Sequence, residues 1–160
     1  MANPSDPPKA RGIMLLLGVV FLGAVFGLTY WLSGRFLSSK GMGWVLGVGI
    51  AAGIGSLILC GALAKSPALR LAGPLLLLVA GGVCFWILAL PVLRHPDTNY
   101  GYSGIYQVTY SDGHSEAVDG AVLNEQEWSK RAGGYLALSL APACVALGIL
   151  ADSLRKKPAA

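Results

Sequence analysis

Asp112, His114 and Glu116 alternate along the chain. Side chains of a strand point to opposite faces in turn, so one extended segment would present all three on the same side. Two carboxylates and an imidazole in that arrangement are oxygen and nitrogen donors for a divalent metal ion. The set is incomplete, however. Asp112 and Gly113 form a turn signal, which takes the first donor out of the strand, and no fourth donor stands nearby. Ordinary solvated polar positions are the plainer reading, and no metal or other cofactor is expected. The rest of the chain offers no HExxH and no CxxC, and Cys60, Cys84 and Cys144 fall singly in apolar stretches where a thiol acts as a small hydrophobe.

All three residues belong to the one long polar stretch, 94–131. It holds six of the eight acidic residues, both histidines and four of the tyrosines. Tyr100, Tyr102, Tyr106 and Tyr110, interleaved with carboxylates, have the composition of a protein-contact surface, where Tyr is enriched. Together with Trp128 they are the expected partner-binding residues. Three basic residues against six acidic ones make the stretch a poor match for a nucleic acid, whose phosphates need cations.

The elements that must position this stretch are read from charge. The chain has 160 residues, of which 54% are hydrophobic and only 12% charged, which is not the composition of a soluble domain. The charges fence off four uncharged intervals, 12–34, 41–64, 71–93 and 132–151. Each reaches the ~20 residues a helix needs to cross a hydrocarbon layer of roughly 30 Å. Helices satisfy their own backbone hydrogen bonds in lipid. The expected fold is an all-α membrane protein, four transmembrane helices in a bundle, with one extramembrane loop (94–131) carrying a small β-hairpin between helices three and four. Residues 1–11, with Pro4, Pro7 and Pro8, read as a flexible tail, and 152–160 as a basic one. The first interval exceeds the ~7–15 apolar residues of a signal core and reads as an uncleaved anchor.

Within the loop, 105–111 is rich in β-branched and aromatic residues and predicts a strand. A two-residue turn at Asp112-Gly113 would return the chain along 114–118. That register sets Tyr106, Val108 and Tyr110 on one face with Ala117 opposite Val108, and Gln107 and Thr109 on the other with His114 and Glu116. A two-stranded hairpin is marginal alone in water and should rest on a surface. Asn124 followed by Glu127 predicts a capping box for a helix over 125–131 that runs on into the fourth span.

Inside the membrane the readable pattern is small residues at steps of four: Gly43, Gly47, Ala51 and Gly55 in span two, and Gly23 and Gly27 in span one. Such rows let helix backbones approach closely, which predicts span two as the central helix of the bundle. Pro142 should kink span four. The spans contain no Asp, Glu, Lys, Arg or His. Transporters, proton relays and intramembrane enzymes place ionisable groups at depth, so these classes are disfavoured.

The expected function is a non-catalytic accessory or assembly subunit of a larger membrane complex, docking through the Tyr-rich loop. Its partners are the lipid bilayer and other membrane protein subunits. A membrane-embedded immunity protein against a pore-forming or envelope-targeted toxin is the alternative, and a homo-oligomeric channel-like role a weaker one. All ten Trp and Tyr residues fall on the side of the long loop. Spans dominated by Ala, Gly and Leu suit a bacterial inner membrane. The side of the termini carries seven Lys and Arg (Lys9, Arg11, Lys65, Arg70, Arg155, Lys156, Lys157) against five (Arg35, Lys40, Arg94, Lys130, Arg131), which predicts cytoplasmic termini. Tags placed at the two ends should be reached only from the cytoplasm, and the long loop only from the opposite side, as selective labelling of intact cells would measure.

Overall fold

The computed structural model describes residues 7–64, 69–96 and 99–155. Residues 1–6 of the N-terminal tail, 65–68 between the second and third spans, 97–98 of the long loop and 156–160 of the C-terminal tail therefore lie outside the described residues. The chain forms α1 (Pro7–Ser33), α2 (Ser39–Leu63), α3 (Leu69–Cys84), a π-helical turn (Phe85–Ala89), α4 (Leu90–Arg94), strands β1 (Ile105–Thr109) and β2 (Ser115–Asp119), and α5 (Gly120–Arg155). Pro7 and Pro8 open α1 instead of belonging to a tail. The first turn of a helix has no use for the missing N–H, and the fixed φ of proline suits it.

Four helical segments are long and apolar enough to cross a membrane: Leu16–Ser33, Ser39–Leu63, Leu71–Arg94 and Gly120–Ser153. Only 11% to 28% of each is buried inside the protein. The remainder presents side chains such as Val19, Ile58, Leu71 and Val79 outward. An apolar surface of that extent demands an apolar surrounding. The molecule is an integral membrane protein of four helices with a two-stranded antiparallel sheet.

The third span is one rod built from α3, the π turn and α4. Pro91 has no N–H to donate to the carbonyl four residues back, and its ring crowds that turn. The helix widens locally, and the Leu90 N–H reaches the Phe85 carbonyl five residues back. The helix that carries the fourth span begins well before 132, at Gly120. At 36 residues α5 is about 54 Å long at 1.5 Å per residue, well beyond the hydrocarbon thickness. Its first three turns, with Glu125, Glu127, Lys130 and Arg131, stand outside the apolar layer, and the helix continues unbroken through Pro142.

The centre of the bundle is α5 rather than α2, because the closest backbone approaches are made onto it. A Cβ on Gly41 of α2 would collide with Ser129, and one on Gly133 of α5 would lie 2.5 Å from the Gly41 carbonyl oxygen. A Cβ on Gly81 of α3 would lie 2.6 Å from the Ser139 carbonyl oxygen of α5. Beside the first contact the Ser38 N–H donates to Ser129 Oγ at 2.7 Å, tying the start of α2 to α5. Val25, Val45, Leu93, Trp128, Ala132 and Leu136 fill the core at this end of the bundle, and Cys60, Leu77 and Ala146 form a smaller core toward the other.

The inward face of α2 is Gly41, Val45, Gly49, Ser56 and Cys60. The row expected there, Gly43, Gly47, Ala51 and Gly55, is exposed. A Cβ on any of its three glycines, or on Gly23 or Gly27 of α1, would meet nothing within 4 Å. Ala137 and Ala141 of α5, by contrast, are buried. Buried hydroxyls are used by their own helices: Thr29 Oγ1 donates to the Val25 carbonyl at 2.6 Å, Ser56 Oγ to Ala52 at 2.7 Å and Ser139 Oγ to Tyr135 at 2.9 Å.

This packing separates two kinds of glycine. Gly41→Ala and Gly133→Ala should each lower the thermal stability of the detergent-solubilised protein, by about 1–3 kcal/mol where a methyl group is forced against backbone. Gly43→Ala and Gly55→Ala should leave it unchanged or slightly raised, because Ala is the better helix former by up to ~1 kcal/mol. A melting curve followed by circular dichroism separates the two classes.

Candidate functional site: the extramembrane hairpin

The segment between the third span and α5 is held by a few backbone anchors. α4 ends at Arg94 with orphan carbonyls, as every helix does. That of Val92 accepts the Trp128 indole N–H at 2.8 Å. Trp128 is wholly buried, so this residue, expected to meet a partner, instead caps the third span from within. Tyr100 also turns inward. It packs against the core cluster, with the Arg131 guanidinium 4.7 Å from its ring centre. Glu127 receives Arg131 at 3.1 Å and Lys130 at 3.2 Å, so the carboxylate read as half of a capping box is an ion-pair partner within the helix.

Asn124 has a different task from the one its spacing suggests. It lies inside α5, which starts at Gly120, and the capping oxygen is that of Asp119, accepting from the Ala121 N–H at 2.9 Å. The Asn124 amide clamps the loop: Oδ1 accepts the Tyr100 N–H at 3.0 Å, and Nδ2 donates to the Tyr102 carbonyl at 2.8 Å. Next to it the Gly120 N–H donates to the Gly104 carbonyl at 2.7 Å. A Cβ on Gly120 would lie 2.9 Å from the Tyr102 backbone, so only glycine lets the loop lie this close to the helix start. Gly101 and Gly104 take positive φ (93° and 85°), the conformations that fold 99–104 back on itself. Tyr106 joins the same assembly, its hydroxyl accepting the Ser103 N–H at 3.1 Å and its ring meeting Tyr102 edge-on at 5.7 Å.

The hairpin itself exists as expected, but its register differs by one residue. Ile105 pairs with Asp119, Val108 with Glu116 and Thr109 with Ser115. The turn contains three residues, 111–113. The Gly113 N–H donates to the Tyr110 carbonyl at 3.0 Å, the Tyr110 N–H donates to the His114 carbonyl at 2.8 Å, and Gly113 takes φ +84°. This is a type I turn closed by a left-handed glycine, the usual three-residue loop. A slip of one residue exchanges faces. Tyr106, Val108 and Tyr110 therefore share a face with His114, Glu116 and Val118, and Gln107 lies opposite Ala117.

The three metal-donor candidates are each engaged locally instead of converging. Asp112 Oδ1 accepts the His114 N–H at 3.0 Å within the turn. The His114 ring stacks on Tyr110 at 6.0 Å, and the Tyr110 hydroxyl donates to Glu116 Oε2 at 3.3 Å. Among the described residues no three His, Cys, Asp or Glu side chains gather where an ion could sit.

What remains on the surface is a polar hairpin with exposed apolar side chains on it and at its base. Ile105 is 80% exposed, and Tyr102, Tyr110 and Val122 are exposed in part. Of the expected contact residues, Tyr102 and Tyr110 lie outward, Tyr106 is half-buried in the loop, Tyr100 is half-buried against the core, and Trp128 belongs to the interior. Ile105 was legible only as the first residue of a strand, and its exposure follows from the register. Comparison with models of known protein families, with curated proteins and with solved structures finds no match to this chain.

The Glu116 carboxylate, by its charge first, pushes the Tyr110 phenol above its ordinary value of 10.0. A raised folded-state value means that the contact is kept below the free phenol's range and lost as pH rises through the shifted one. In Glu116→Gln the Tyr110 phenol should therefore titrate at lower pH than in the parent, read by NMR of ring-labelled tyrosine. An unchanged titration would mean that the two groups do not meet in solution.

Proposed function

We propose that this chain is a non-catalytic accessory or assembly subunit of a larger membrane complex, docking through its extramembrane hairpin. One observation carries the reading. The hairpin is fixed to the bundle by Asn124, Gly120 and α5, yet it keeps Ile105 80% exposed in what is otherwise a water-facing element. A loop whose shape is set before binding loses little conformational entropy when a partner arrives. Tyr102 and Tyr110 add amphipathic rings of the kind enriched at interfaces. The deep hydroxyls are engaged by their own helices, which leaves the long loop as the element with groups to offer a partner. The partner is the extramembrane surface of another membrane protein. The membrane we assign is the bacterial inner membrane, with cytoplasmic termini and the hairpin on the opposite side.

The test is isolation of the tagged protein from its native membrane in a mild detergent. A stoichiometric membrane-protein partner should copurify. Ile105→Asp combined with Tyr102→Ala should release it, weakening association by about tenfold or more, as loss of a central interface side chain does. The melting curve of Ile105→Asp alone should stay unchanged, since that side chain is 80% exposed. A protein that runs only as a monomer, or a complex indifferent to both substitutions, would overturn the proposal.

A further inference from the structure

The outward row of α2 lies in a furrow, and the furrow has a neighbour. The first, of about 520 Å³, is lined by Gly43, Gly47 and Ala51 with Lys40 and Lys130 at its mouth. The second, of about 420 Å³, runs between α2 and α5 along Gly134, Tyr135 and Leu138, with Lys130, Arg131 and Glu127 at its mouth. Trp44 and Val48 line both and form the ridge between them, and Lys130 stands at the head of both. Lys40 is the last charge before the uncharged interval 41–64, and Lys130 and Arg131 are the last two before 132–151, which sets all three at the border of the hydrocarbon layer. Trp44 and Tyr135, one turn deeper, are the residues that favour the headgroup level.

We infer that these paired furrows bind one anionic glycerophospholipid in the leaflet of the long loop, with its phosphate at Lys130 and one acyl chain on each side of the Trp44–Val48 ridge. Charge decides the class of headgroup. Three cations meet one carboxylate, and Glu127 is already held by Lys130 at 3.2 Å and Arg131 at 3.1 Å. Lys40 Nζ donates to the neutral Gln126 Oε1 at 2.7 Å, which fixes its position and leaves its charge uncompensated by that contact. The mouth thus retains a net positive charge in a setting of low dielectric, where an anionic headgroup is favoured over a zwitterionic one. Shape decides the chains. Gly43, Gly47 and Ala51 in the first furrow and Gly134 in the second remove side-chain bulk from a lipid-facing surface, and two furrows divided by one ridge match a lipid with two tails.

The test is native mass spectrometry of the full chain in detergent, titrated with phosphatidylglycerol or phosphatidylcholine of identical acyl chains. Phosphatidylglycerol should be retained about tenfold better, and each of Lys40→Gln and Lys130→Gln should lower its retention about fivefold, the ratio expected for one cation near the membrane surface. Gly47→Leu, which fills the first furrow where no neighbour stands within 4 Å, should lower retention of both lipids without lowering the melting temperature. Equal retention of the two lipids, or retention indifferent to all three substitutions, would overturn the inference. So would a Gly47→Leu protein that keeps its lipid but loses a copurifying protein or a second copy, since the furrow would then seat a helix.

Discussion

Everything above the membrane depends on how closely α2 and α5 approach at Gly41, Ser129 and Gly133. A Cβ on Gly133 would come within 2.5 Å of the Gly41 carbonyl oxygen, so the two backbones touch with no side chain between them. In lipid there is no hydrophobic gain in bringing apolar helices together, and association rests on close packing and on hydrogen bonds such as Ser38 N–H to Ser129 Oγ. That contact fixes the rotation of α5 about its axis. Trp128, one residue earlier, is then aimed at the Val92 carbonyl, and Asn124, one turn further out, at the Tyr100–Tyr102 backbone. One glycine contact inside the bundle thus determines where the loop is held.

The helix α5 carries this information outward because it does not stop at the membrane border. Residues 120–131 continue the same rod, so the hairpin attached at Gly120 moves with the fourth span rather than on a flexible joint. The hairpin packs little against anything else. Its strands exchange backbone hydrogen bonds, Thr109 and Ser115 join hydroxyls at 2.9 Å, and Tyr106 braces it against Ser103. A two-stranded sheet that would be marginal alone is stabilised from its base, leaving its tip and Ile105 for other contacts.

The four spans were legible because charge is an unambiguous signal in lipid: where Asp, Glu, Lys, Arg and His are excluded for twenty residues, a crossing helix follows. The face of α2 that packs inward was not. Gly41 and Gly43 are two residues apart, roughly 200° around a helix, and each begins a row at steps of four with three glycines in it, Gly41, Val45, Gly49 and Gly53 against Gly43, Gly47, Ala51 and Gly55. Spacing alone cannot choose between two such rows; the choice is made by Ser129 and Gly133, some ninety positions away in the chain. The turn was misread for a more local reason. Asp-Gly supports a two-residue loop, but it serves equally at the end of a three-residue loop in which Gly113 alone needs positive φ, and the sequence does not record which. Asn124 matched a capping signature because Asn caps helices, and here a neighbouring Asp does so instead, freeing the amide to bind the loop.

The two glycine rows lie on opposite sides of α2 and answer to different constraints. The inward row must admit the backbone of α5, and its bulk is limited by contact with Ser129 and Gly133. No such limit acts on the outward row, where each glycine could gain a side chain without touching the protein. Glycine in a helix interior costs about 0.5–1 kcal/mol relative to alanine, so three outward glycines forgo stability that the fold itself does not require them to forgo. The constraint on that face therefore comes from what lies against it. The position of Lys40 and Lys130 at its mouth, at the membrane border on the side of the hairpin, makes a lipid with a negatively charged headgroup the occupant that suits both the mouth and the apolar length of the furrow.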